Sequence, residues 1–92
     1  MFVLIAYDVS ERRTEKYRKL LSRYLMNAQF SVFLGDLTDV KYAELQHDLR
    51  RLLHEQDRVL VVSTLNRRNV GVEHWDYGGM HQDTNHLGSG VL

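Results

Sequence analysis

Phe2-Val3-Leu4-Ile5-Ala6-Tyr7-Asp8 is a run of six apolar residues closed by a carboxylate, and a basic amphipathic helix pattern starts three residues later. Aliphatic and aromatic side chains without polar alternation read as a central strand buried on both faces. Asp8 then stands at the carboxyl end of that strand, where the chain returns to water and a carboxylate can face a ligand. The run is too short to cross a membrane and lacks the basic leader of a signal peptide, so a soluble, cytoplasmic protein without a membrane partner is expected.

The next elements follow from spacing. Ser10 can cap a helix over about 11–26, whose stripe Tyr17, Leu20, Leu21, Tyr24 and Leu25 follows the i, i+3, i+4, i+7, i+8 rule of a core-facing helix. Residues 29–37 are rich in β formers, with Phe30, Val32 and Leu34 alternating and Gly35 supplying a bend or bulge; one bent strand or two very short ones fit. Thr38 or Asp39 opens a second helix running to about His54, with Tyr42, Leu45, Leu49, Leu52 and Leu53 on one face. Residues 58–65 read as another buried strand, followed by the polar turn Asn66-Arg67-Arg68-Asn69 and a weaker strand at about 70–75.

Helices alternating with strands in this order imply an α+β fold, a ferredoxin-like sandwich of βαββαβ form plus a C-terminal strand, with both helices on one face of the sheet. Residues 1–75 make a single domain. From residue 76 the periodicity stops, and four of the six glycines fall at 78, 79, 88 and 90. Residues 76–92 are therefore read as a glycine-rich tail, mobile or docked on a partner.

Ninety-two residues can bury roughly two-thirds of their unfolded surface, a modest core that oligomerisation would help. The absence of cysteine excludes disulfides and thiolate metal sites. Formal net charge is zero but unevenly spread: residues 1–35 hold six Lys/Arg against three Asp/Glu, and residues 36–57 hold three against six. One face is therefore expected to be locally basic.

Asp8 is the candidate metal ligand and catalytic residue. Mg²⁺ keeps several waters and takes one or two protein carboxylates with substrate phosphate oxygens, so a symmetric dimer could bring two copies of Asp8 to one Mg²⁺ (or Mn²⁺). Glu11, three residues on, reads more simply as a first-turn residue that complements the helix dipole. Arg12, Lys16, Lys19 and Arg23 are spaced by four, three and four, which places them in one helical stripe able to follow a phosphate backbone. Arg13 and the adjacent pair Arg67 and Arg68 are further candidates for forked contacts to phosphate. The five histidines show no tight metal-ligand spacing, and Ser31 has no sequence-local base.

Two motifs carry a resemblance. Tyr7-Asp8-Val9 closing an N-terminal strand, followed by Gln29-Phe30-Ser31-Val32-Phe33-Leu34-Gly35-Asp36-Leu37-Thr38, resembles the CRISPR-associated protein 2 family over about residues 1–65. The resemblance implies a ferredoxin-like homodimer in which the last strand of each subunit often joins the other's sheet. It also implies a divalent-metal-dependent endonuclease acting on single-stranded RNA or double-stranded DNA, with the metal aspartate at Asp8. It further implies a role in CRISPR spacer acquisition, bridging dimers of the CRISPR-associated protein 1 integrase. Many relatives carry a basic residue before the glutamine and an acid before the glycine, where this chain has Ala28 and Leu34.

Four readings stand beside one another. The first is an Mg²⁺-dependent endonuclease of CRISPR adaptation, and the second a non-catalytic DNA-bridging scaffold of the integrase complex on the same fold. The third is a related toxin-type ribonuclease. The fourth, a ferredoxin-like module binding a small metabolite, lacks the glycine-rich ligand loop it would need.

Overall fold

The computed structural model describes residues 1–77 and 79–82. The elements are β1 (Phe2–Asp8), α1 (Glu11–Ser22), β2 (Met26–Gln29), β3 (Val32–Asp36), α2 (Asp39–Leu52), β4 (Arg58–Thr64), a 3-10 turn (Arg67–Asn69), β5 (Glu73–Asp76) and β6 (Gly79–Gln82). The first four strands form one sheet in the order β2-β3-β1-β4, every pair antiparallel. This is the ferredoxin-like arrangement, with β1 at the centre.

Alternation sorts β1 into two faces. Val3, Ile5 and Tyr7 point to the helices and join Tyr17, Leu20, Leu21, Leu25, Phe33, Leu45 and Leu49 in the main core. Phe2, Leu4, Ala6 and Asp8 point the other way. Phe2 and Leu34 are buried there beneath Val70 and Val72, and the Arg67 guanidinium lies 4.8 Å from the Phe2 ring centre. Both faces of β1 are thus covered at its Phe2 end, and the face away from the helices opens toward Asp8.

Several boundaries differ from the sequence reading, each for a tertiary reason. Helix α1 ends at Ser22 rather than near 26, because Tyr24 and Leu25 fill the same core by turning into β2. Two short strands form between 26 and 36, and the register shift falls between Asn27 and Gln29, not at Gly35, which pairs with Val3. Ser10 sits at the N-cap of α1 with no side-chain cap bond, whereas the Thr38 hydroxyl accepts from the Lys41 N–H at 3.1 Å. Strand β4 is not buried: it is a sheet edge, and Leu60 and Val62 are 60% and 47% exposed. The last expected strand forms at 73–76 and pairs with β6 in a separate two-stranded sheet. Paired structure therefore enters the stretch read as a tail, whose remainder, residues 78 and 83–92, lies outside the described residues.

Candidate nucleic-acid and metal site

Asp8 is exposed at the end of β1. Its strand position gives it the opposite direction from Tyr7, whose ring is stacked 5.3 Å from Tyr17 in the core. Asp8 therefore projects from the open face, the one carrying Ala6, Leu60 and Val62. Arg58 stands directly across from it in the β1–β4 register. Opposite residues of an antiparallel pair share a face, so the Arg58 cation lies on the same side of the sheet as the Asp8 carboxylate. The sequence reading did not single out Arg58, because its nearness to Asp8 depends on strand pairing across 50 residues.

A recess of about 230 Å³ borders Asp8 on its other side, lined by Tyr7, Val9, Thr14, Phe30 and Ser31. The Tyr7 N–H donates to the Ser31 carbonyl at 3.1 Å, which ties the β2–β3 turn to the residue preceding Asp8. Phe30, at the tip of that turn, is 94% exposed.

Among the described residues, no three carboxylates, histidines or other metal-ligating side chains converge as a self-contained metal site. One exposed carboxylate per chain still suits Mg²⁺, which retains most of its waters and accepts substrate phosphate oxygens. It does not suit Zn²⁺, which needs three or four protein ligands.

The basic residues divide. Lys16, Lys19 and Arg23 line a groove of about 470 Å³ between α1 and α2. Arg51 of α2 faces them across it, with Leu20 and Leu52 as its floor and Asp48 as its carboxylate. Arg23 lies 3.7 Å from Asp48, a loose pair in which the arginine is exposed and the carboxylate half-buried. Arg51 is a cation that the sequence reading passed over, although a basic pair in the last turn of α2 was visible. Arg12 is exposed at the start of the same stripe.

Arg13 has another partner. Its Nε donates to both oxygens of Asp57 at 3.0 Å, and its Nη2 donates to the Leu52 carbonyl at 2.6 Å. Asp57 also accepts from the Tyr17 hydroxyl at 2.6 Å and the His54 N–H at 3.0 Å. These donors, Arg13 foremost, hold the Asp57 carboxyl down at about 2, while burial and the carboxylate push the Tyr17 hydroxyl up to about 12. Arg67 is turned into the fold, its Nη1 donating to the Val70 carbonyl while its Nε and Nη2 are buried with no hydrogen-bond partner among the described residues. Arg68 is exposed, with its N–H given to the Asn66 side chain.

The chain matches the family model described as CRISPR associated protein Cas2 over residues 1–70. It is 34% identical over 88 residues to the CRISPR-associated endoribonuclease Cas2 of Methanosarcina acetivorans, spanning 95% of this chain and 99% of that one. It is also 34% identical to the protein of the same name from Thermotoga maritima, over 85% of this chain and 97% of that one. A crystal structure of Streptococcus pyogenes Cas2 superimposes with a TM-score of 0.64 at 26% identity, covering 76% of this chain and 95% of that one.

Proposed function

The chain belongs to the Cas2 family of CRISPR-associated proteins, and from that membership we propose that it is a homodimeric, Mg²⁺-dependent endonuclease of spacer acquisition. The observation that carries this reading is the position of Asp8 on the open, apolar side of the sheet. The relatives named endoribonucleases support the nuclease class, and single-stranded RNA is the first substrate to test, with duplex DNA beside it.

In this reading two subunits cover each other's open faces. Leu60, Val61 and Val62 expose apolar surface on an unpaired sheet edge, a feature that soluble monomers rarely leave bare. A two-fold packing through this region brings the two Asp8 carboxylates toward one site and hides Leu60 and Val62. An ion held there would polarise the phosphodiester and acidify a bound water for in-line attack. Arg58 from each chain neutralises phosphate charge beside it, while Arg12, Lys16, Lys19, Arg23 and Arg51 hold the backbone farther along. Arg13 and Arg67 act in the fold, and Arg68 is a further exposed phosphate contact.

The scaffold reading has its own support. The α1–α2 groove lies on the helix side of the sheet, away from the direction of Asp8, so phosphate binding there does not depend on cleavage. A dimer with two such grooves fits a DNA-bridging partner of the CRISPR integrase.

A cleavage assay separates the two. Purified protein is given labelled single-stranded RNA and duplex DNA, with Mg²⁺, with Mn²⁺ and with chelator, beside Asp8→Asn. Cutting that requires both metal and Asp8 supports the endonuclease and names its substrate. Salt-sensitive DNA binding without cutting, equal in both proteins, supports the scaffold.

A further inference from the structure

Phe30 combines two features that are each unusual for a phenylalanine. It is 94% exposed, and its φ of 32° is positive, a conformation that bulky L residues rarely adopt. Neither is explained by packing among the described residues, because the ring adds nothing to either core cluster. Glycine or asparagine would make this turn with less strain.

The surroundings hold the conformation in place. The Asn27 side-chain amide donates to the Phe30 and Val32 carbonyls, each at 3.1 Å, bracketing the turn. The Tyr7 N–H fixes the next carbonyl, that of Ser31. The turn is thus tied at both sides, and the strained residue is kept rather than relaxed. Phe30 and Asp8 line the same recess, together with Thr14 and Ser31. Strain retained beside a candidate catalytic group points to use of the side chain.

We infer that Phe30 is a stacking platform for an unpaired nucleobase of the strand whose phosphate lies at Asp8. A base in a duplex has its faces covered by neighbours, whereas a single strand offers a free π-face, so the platform selects single-stranded over duplex nucleic acid. The inference rests on the nuclease reading for its location and adds the residue that would select the unpaired strand. Phe30 binds through ring area alone, which makes the preference tolerant of base identity.

The test is a binding measurement in chelator, where no strand is cut. Full-length wild type, Phe30→Ala and Phe30→Trp are titrated into a single-stranded RNA bearing 2-aminopurine and into the matching duplex. Stacking is worth about 1–3 kcal/mol per base, so Phe30→Ala should weaken single-strand binding about 5- to 160-fold and abolish part of the 2-aminopurine quenching. Duplex binding should change less than about twofold, and Phe30→Trp should restore both single-strand readouts. Unchanged single-strand affinity in Phe30→Ala would overturn the inference. So would equal losses for single strand and duplex, or a shift in oligomeric mass, which would make Phe30 a contact between subunits. Stacking that survives in a protein that cuts nothing would uphold the platform while removing the nuclease; Asp8-dependent cutting with no Phe30 effect would do the reverse.

Discussion

Arg13 and Asp57 are joined by three polar contacts between 2.9 and 3.0 Å, and the pair locks the first turn of α1 to the loop between α2 and β4. The Asp57 side chain is 1% exposed and that of Arg13 14%, so the pair is shielded from water on most sides. Its effect is to fix the loop that delivers Arg58, the first residue of β4, opposite Asp8. A cation that looks like a phosphate contact in the sequence thus shapes the site from behind.

Acid and base should each lower the protein's stability through this cluster. The Asp57 carboxyl is lowered to about 2, so its contribution is present above the ordinary carboxylate range, near pH 4, and is lost as pH falls toward 2. The Tyr17 hydroxyl is raised to about 12, so its contribution holds below pH 10 and is lost as pH rises toward 12. Thermal unfolding followed across pH should show both limbs, with Asp57→Asn flattening the acid limb and lowering stability at neutral pH. Tyr17→Phe should flatten the basic limb and cost about 1.5 kcal/mol for the lost hydrogen bond to a carboxylate.

Phe30→Gly should stabilise the fold. Relief of an L residue with positive φ is worth about 1 kcal/mol, which for a domain of this size raises Tm by roughly 4–8 °C. Differential scanning calorimetry measures this directly. An unchanged Tm would mean that the turn stores little strain.

Leu60→Glu and Val62→Lys should split the proposed dimer without unfolding the subunit, since both side chains are at least 47% exposed in the single chain. Sedimentation should show a monomer at concentrations where wild type is a dimer, with the circular dichroism of the fold kept. Metal-dependent cleavage should be lost with the dimer, because each subunit brings one Asp8.

Replacing Lys16, Lys19, Arg23 and Arg51 together by alanine should reduce the slope of log affinity against log salt by about 3.6 per subunit for duplex DNA, at about 0.9 per phosphate contact. Arg13→Ala should leave that slope unchanged. Asp8→Asn should keep the wild-type slope, which separates phosphate binding from chemistry.

Local sequence carried a large part of the architecture. The apolar run 2–8 and the two helical stripes specify β1, α1 and α2, because burial periodicity is written into neighbouring residues. Asp8 was legible for the same reason: it is the first charge after the run, so it had to lie at the strand end. The stripe Arg12, Lys16, Lys19 and Arg23 follows from helical spacing alone.

What the sequence left open depends on contacts between distant residues. Only strand order makes β4 an exposed edge although it reads as buried, and only the β1–β4 register sets Arg58 across from Asp8. Helix packing decides that Arg51 faces Lys16 and Lys19, and that Arg13 spends its guanidinium on Asp57, 44 residues away. The strained backbone of Phe30 arises where Asn27 and Tyr7 hold a turn that its own sequence would not choose. Periodicity records which face a residue shows, whereas partners are set by the closing of loops between elements, and that is decided only when the whole chain packs.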